Sequence, residues 1–287
     1  MGAIEFQVWG CRGGRNMHGT RTGDLTSCYA VHAGADLYVL DAGRGLGALA
    51  EAVVRGDVAG VARVHVLVTH AHVDHWEGLR DAAWMWTPGN GLALGIHGPA
   101  EALAAIRAGY APPSFVPLDV LAQGTLASLA WTELVAGATL ELPGARVSAV
   151  ALHHYSGLAS SRRPLETLGY HLVLAGGPRL AYLCDHEPTD ATRATEDALC
   201  GASELALVDA NYGEKTEHAF GHGSLAYAAE VATRHPHAWV LATHHGPLRS
   251  DDAIDDGLRR HGAGRPNLAI ARQGLRARWN AAGWSTV

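Results

Sequence analysis

Only four cysteines occur in 287 residues, at positions 11, 28, 184 and 200, and no two form a Cys-x-x-Cys pair. Isolated thiols of this kind exclude a disulfide framework and a cysteine-rich structural zinc site, and they fit a reducing compartment. Positive charge is also scarce: 22 Lys+Arg against 28 Asp+Glu give a formal net charge of −6. That balance argues against a general nucleic-acid-binding surface, while leaving room for a local basic pocket. Residues 1–9 hold no basic segment followed by an apolar one, so no signal peptide is expected. No apolar run is long enough to span a bilayer. A cytoplasmic location without membrane attachment is therefore the expectation. Internal repeats, low-complexity tracts and linkers are missing too, and residues 1–287 read as one domain.

What the chain has in excess is histidine, 18 in all, several in adjacent pairs. Around them the pattern is one of short apolar runs. Alternation predicts a strand over residues 4–9, followed by the glycine-rich bend Gly10-Cys11-Arg12-Gly13-Gly14. A polar loop is expected at 16–24, and strands at 28–32 and 37–40, with Asp41-Ala42-Gly43 ending the second. Residues 46–54 have helical spacing, 64–68 read as a buried strand, and 77–86 as a helix. Trp76, Trp84 and Trp86 are expected to pack against a sheet rather than stack on substrate. A strand at 92–97 and a helix at 99–109 with proline at its start come next. Residues 110–137 show no regular pattern and are expected to cap the fold. Further strands are predicted at 140–142, 147–152, 170–174, 180–183, 205–208 and 239–242, with a helix over 224–234.

The most specific stretch follows the buried strand at 64–68: Thr69-His70-Ala71-His72-Val73-Asp74-His75. Four potential metal ligands (His70, His72, Asp74, His75) fall within six residues. Imidazole nitrogen with carboxylate oxygen suits zinc, and also manganese or iron. In an extended backbone His70 and His72 point the same way, while Asp74 and His75, at the turn, can face a second ion. A loop merely rich in histidine is the bland alternative, and it does not account for this spacing.

The motif resembles that of the metallo-β-lactamase-fold hydrolases. His154, Asp185 and His244 each follow a predicted strand, and the order His-x-His-x-Asp-His, His, Asp, His is similar to the ligand order of that superfamily over most of the chain. The resemblance implies an α+β fold, a four-layer αβ/βα sandwich of two mixed sheets flanked by helices, with a two-metal site at one edge. It implies that His70, His72 and His154 hold one ion, that Asp74, His75 and His244 hold the other, and that Asp185 bridges them. His153 and His245 stay open as alternatives, because neighbours in a strand face opposite ways. The family's spacing, with Val147, Val150 and Leu152 before the ligand and His-x-x-Pro ending at Pro247, favours His154 and His244.

Four more segments are similar to the cyclic-phosphodiesterase and tRNA 3′-processing endonuclease branch: Trp9-Gly10-Cys11-Arg12-Gly13, Asp41-Ala42-Gly43, Asp185-His186-Glu187 and Gly221-His222-Gly223-Ser224. The implied function is a phosphodiesterase with two divalent ions, zinc first and manganese or iron as alternatives, using a metal-bridging hydroxide. Asp74 and His222 are the implied catalytic groups, His222 as general acid toward the departing oxygen. Gly223, inserted into the branch's Gly-His-Ser/Thr element, leaves a purely structural role for His222 at a helix start open. Arg162 and Arg163 are candidates for pairing with substrate phosphate, against the ordinary reading as surface arginines. The expected partner is a small phosphodiester, and a homodimer is compatible with the sequence. Rival readings on the same fold are a hydrolase of a lactone, lactam or thioester, and a di-iron oxidoreductase. His72 counts against the last, since such relatives commonly carry Glu there. A binding protein with a residual site is a further rival.

Overall fold

The structure is a computed structural model, which describes residues 3–14, 21–157, 161–213 and 220–287. In chain order its strands are β1 (Ile4–Gly10), β2 (Cys28–Ala33), β3 (Asp36–Leu40), β4 (Arg63–Leu67), β5 (Ala93–Gly98), β6 (Ser128–Glu133), β7 (Thr139–Leu142) and β8 (Ala145–Ala151). They continue with β9 (Tyr155–Ser156), β10 (Arg163–Pro164), β11 (Leu168–Leu174), β12 (Arg179–Leu183), β13 (Leu205–Asp209), β14 (Trp239–Thr243), β15 (Leu268–Ile270), β16 (Arg276–Asn280) and β17 (Gly283–Thr286). The helices are α1 (Gly45–Arg55), α2 (Ala100–Gly109), α3 (Leu118–Ala122), α4 (Arg193–Gly201), α5 (Leu225–Arg234) and α6 (Asp251–His261). Hydrogen bonding joins the strands into two mixed sheets, one of eight in the order β17-β16-β1-β2-β3-β4-β5-β6 and one of seven in the order β15-β14-β13-β12-β11-β8-β7. β9 and β10 make a separate small ribbon.

Strand alternation explains the layering. Phe6, Val8, Tyr29 and Val31 of the first sheet face Val147, Tyr170, Leu172 and Leu207 of the second, forming a core between the sheets. The other face of the first sheet presents Val39, Val66 and Ile96 to Leu46 and Leu49 of α1 and Leu103 of α2. The outer face of the second presents Leu183, Val208 and Val240 to Leu199 of α4, Val231 of α5 and Ile254 of α6. The fold is thus an α+β sandwich of four layers, helices–sheet–sheet–helices.

Three tyrosines tie the sheets together near one edge. Tyr182 on β12 donates to Asp41 Oδ2 beyond β3 (2.6 Å), and Tyr170 on β11 donates to the Val68 carbonyl beyond β4 (2.5 Å). The Tyr29 hydroxyl on β2 bonds that of Thr243 at the end of β14.

Several expectations need correction. Residues 77–86 do not form one helix but two 3-10 segments, Glu77–Asp81 and Ala83–Met85. Ala42 N–H donates to the His75 carbonyl (2.7 Å) and Gly78 N–H to the Ala42 carbonyl (2.9 Å), so this backbone is diverted into holding the 41–43 loop. A Cβ at Gly78 would stand 2.0 Å from the Gly43 carbonyl oxygen, which leaves glycine as the residue for that crossing. Trp84 is fully buried in the helix-side core and Trp76 packs against it, whereas Trp86 is half exposed beside Phe115. Residues 110–137 are not without elements: they contain α3 and the edge strand β6. β6 hides its period because none of its six residues is fully buried. α4, α6 and β15 to β17 have no counterpart among the predicted elements. The loop expected at 16–24 lies partly outside the described residues.

Candidate metal centre

The site is assembled from strand ends. β12, β13 and β14 run parallel, and Asp209 ends β13 while Asp185 and His244 stand just past the C-terminal ends of β12 and β14. β8 lies two antiparallel steps from β12, so it points the same way and leads to His154. From the first sheet, the parallel neighbours β3 and β4 lead to Asp41 and to the His70 loop. Asp41, Asp185 and His244 have φ of 57°, 52° and 54°. Non-glycine residues hold this left-handed conformation only at a cost, and such strain concentrates at functional sites.

Asp185 is buried at the centre. Its Oδ2 lies 3.5 Å from His70 Nε2, 3.3 Å from His75 Nε2 and 3.6 Å from His154 Nε2, and its Oδ1 lies 3.0 Å from His244 Nε2. Donor atoms of His70, His72, His154 and Asp185 fall within 4.8 Å of one another, and so do those of Asp74, His75 and His244. Several imidazoles are braced from behind. His70 Nδ1 meets Thr69 Oγ1 (2.9 Å), His75 Nδ1 meets Asp41 Oδ2 (2.7 Å), and His154 Nδ1 meets the Gly221 carbonyl (2.7 Å). Donation from Nδ1 turns the Nε2 lone pair inward, the tautomer a metal ligand requires. Nε2 of His70, His75 and His244 is buried without a hydrogen-bond partner. Orphaned buried polar atoms call for an explanation. A divalent cation between them supplies it, and the nitrogen and oxygen donor set fits one.

Electrostatics point the same way. Burial pushes His70 well down and His154 down to about 3. It would also depress His75 and His244, yet both are raised well above the ordinary histidine value, chiefly by the Asp185 carboxylate. Burial opposes ionisation of Asp74 and Asp185, but the adjacent imidazoles hold both below the usual carboxylate range. The carboxylates at the centre thus attract positive charge strongly.

The structure brings His70, His72, Asp74, His75, His154, Asp185 and His244 together. His153 turns outward, 46% exposed, and pairs with Glu187; His245 is buried behind the site against the Ala271 carbonyl. His222 also faces the cluster, its ring 4.8 Å from that of His154 and 5.1 Å from that of His244. Arg162 is exposed and stacks over the Tyr155 ring at 4.4 Å, and Arg163 is exposed and ion-paired with Glu101 of α2. Neither arginine lines the cavity at the site.

Asp209 has no place among the residues singled out from the sequence. It is fully buried, and its Oδ2 accepts from His222 Nδ1 (2.9 Å) and from the backbone N–H of Gly223 (3.1 Å) and His186 (3.0 Å). The signal was present: an apolar run ending in Asp, as at Asp185. The inserted Gly223 has a cause as well. A Cβ there would stand 2.5 Å from the Asp209 carbonyl oxygen, so the extra residue lets the chain pass close to β13 before Ser224 caps α5. A cavity of about 810 Å³ opens over the cluster, lined by His72, Asp74, Asp185, His222 and His244 and flanked by Tyr155, Tyr212, Phe220, Leu248 and Arg249.

No curated protein matches the sequence. Among solved structures, unliganded yeast PDE1 is similar at 16% identity over 96% of this chain and 99% of that one, with a TM-score of 0.69. Zinc-bound PqqB from Methylobacterium extorquens is similar at 16% identity, 95% and 99% coverage and TM-score 0.67. A diphosphatase from the PhnP family is similar at 16% identity, 95% and 96% coverage and TM-score 0.65. At that identity the likeness is one of fold. A family model described as a beta-lactamase superfamily domain matches residues 32–245, and with the four-layer sandwich and the His/Asp clusters at its edge, the chain belongs to the β-lactamase superfamily, on the metallo-β-lactamase fold.

Proposed function

We propose that this chain is a binuclear metal-dependent hydrolase of small phosphodiesters, acting as one domain in the cytoplasm. The observation that carries the reading is the convergence of the buried Nε2 atoms of His70, His75 and His244 on the Asp185 carboxylate, at 3.0 to 3.5 Å. His70, His72 and His154 would hold one ion, Asp74, His75 and His244 the other, and Asp185 would reach both, with zinc the ion best suited to this donor set. Two ions bound there would supply Lewis acidity toward a phosphoryl oxygen and render water acidic enough to attack near neutral pH.

The chain's own groups do the rest. Asp74 lines the cavity and accepts the Gly14 N–H at 3.1 Å, so its ionised carboxylate is positioned to orient the attacking water. His222 gives its Nδ1 proton to a hydrogen bond with Asp209, which leaves Nε2 to protonate the departing oxygen. Asp209, buried and held ionised by His222 and His244 against the effect of burial, fixes the ring in the orientation this step requires. Tyr155, Tyr212 and Phe220 give the mouth of the cavity an aromatic rim suited to the arms of an aryl or nucleoside ester. The likeness to a diphosphatase supports phosphoester chemistry over lactone or thioester hydrolysis.

The test is a substrate panel run on protein of known metal content: aryl phosphodiesters, cyclic nucleotides, a lactone and a thioester. Phosphodiesters should turn over, and His70→Ala and Asp185→Ala should lose metal and turnover together while the circular dichroism spectrum is kept. A folded Asp185→Ala enzyme with full turnover, or hydrolysis of the lactone or thioester alone, would refute the proposal.

A further inference from the structure

The cavity wall carries a cation that the chemistry at the metal cluster leaves unused. Arg249 is the single lysine or arginine among the described residues lining it. Its Nη1 donates to the carbonyls of Ala210 (3.0 Å) and Tyr212 (3.2 Å), which fixes the guanidinium beside the loop that follows β13. The nearby carboxylates are engaged elsewhere. Asp251 pairs with the buried Arg12 (2.9 Å), Asp252 and Asp255 pair with Arg21, and Asp209 is taken up by His222 and backbone N–H groups. None of the described acids forms an ion pair with Arg249. Its Nη2 and Nε lie 3.9 and 4.0 Å from where a Cβ on Gly213 would stand, and Nη2 lies 3.4 Å from where one on Gly257 would, so among the described residues two glycines leave this edge of the guanidinium without a side chain against it at those positions.

A half-buried guanidinium whose acceptors among the described residues are all neutral is poorly compensated, and an anion in the cavity would be a fitting partner. Its two remaining donor atoms suit a carboxylate or a terminal phosphate, both of which accept in pairs. We infer that Arg249 is a specificity-determining residue that anchors a second, non-reacting anionic group on one arm of the substrate. This rests on the hydrolase reading for the identity of the reacting group, and on the cavity alone for the anion. The substrate class is accordingly a phosphodiester bearing a further carboxylate or phosphate beyond the scissile group.

Binding and turnover test this separately. On metal-loaded protein, calorimetry would compare linear dicarboxylates from succinate to suberate with their monoamides, which lack the second charge. At the best-fitting length the dicarboxylate should bind about 10- to 100-fold more tightly than its monoamide. Arg249→Ala and Arg249→Gln should bring that ratio to within about twofold, and Arg249→Lys should keep part of it. Arg249→Gln retains a donor for the two carbonyls, so a folding defect in the alanine variant does not decide the matter. A ratio in the folded glutamine variant equal to wild type at every chain length would overturn the inference. In turnover, a 4-nitrophenyl diester with a carboxylate on its other arm should show a KM raised by the same factor in Arg249→Gln, with kcat held. Failure of wild-type protein to hydrolyse this diester would count against the hydrolase reading, while the calorimetric ratio would still decide Arg249.

Discussion

At the scale of single residues, the proposed function gives His222, paired with Asp209, a part in proton transfer distinct from metal holding. His222 approaches Asp185 Oδ2 no nearer than 3.9 Å at Nδ1, while that same nitrogen is bonded to Asp209 at 2.9 Å. His222→Gln should lower turnover of an alkyl phosphodiester by about 10²- to 10⁴-fold, the usual worth of a general acid. Metal content should stay at the wild-type level. A diester with a 4-nitrophenolate leaving group needs little protonation and should lose much less. Equal losses on the two substrates, or loss of metal, would assign His222 to structure instead. Asp209 escapes notice in the sequence because one Asp after an apolar run carries no spacing to distinguish it, unlike the dense His70 to His75 loop. The adjacent pairs His153-His154 and His244-His245 are ambiguous for a related reason. Each pair offers the same chemistry twice, and only the direction of the strand end decides which ring turns inward.

At the scale of elements, Ser224 joins the site to a helix. It is the N-cap of α5, its hydroxyl accepting the Tyr227 N–H at 3.1 Å, and it lies two residues beyond His222. Ser224→Ala should cost about 1 kcal/mol, read from the urea midpoint at constant slope. A midpoint equal to wild type would show that water replaces the cap. The buried parallel strands were legible as short apolar runs, since both of their faces are covered. The 3-10 segments after His75 were not legible, because the bonds that break the helix come from the 41–43 loop, far away in sequence. Exposed edges fared the same way: β6 and the C-terminal β16 and β17 bury too little for a period to emerge.

At the scale of the whole molecule, the fold could be read from the order of motifs along the chain, although identity to a solved structure of the same fold is only 16%. The inter-sheet face holds a second histidine group away from the centre. His97 is buried, stacks on His65 at 6.0 Å, and has no hydrogen-bond partner on either ring nitrogen. Burial, with a smaller contribution from His65, pushes it down to about 4. An unfolded histidine titrates near 6.5. Between these values the unfolded chain binds a proton that the folded chain refuses, so the stability His97 contributes is complete above pH 6.5 and is lost as pH falls toward 4. The full effect is roughly 3 kcal/mol. In His97→Phe the acid limb of the urea midpoint over this range should be shallower than in wild type, and parallel curves would contradict the assignment.

The tyrosine links between the sheets bear on how such a protein can be tuned. Each sheet brings its own share of the donors, and the hydroxyls of Tyr29, Tyr170 and Tyr182 fix how one share sits over the other. If two cations are held there as proposed, their separation would be governed from inside the sandwich, by phenols buried away from the cavity. On that reading, the catalytic rate would drift through conservative changes in the interior, while the mouth of the cavity would be free to be reshaped for a new substrate.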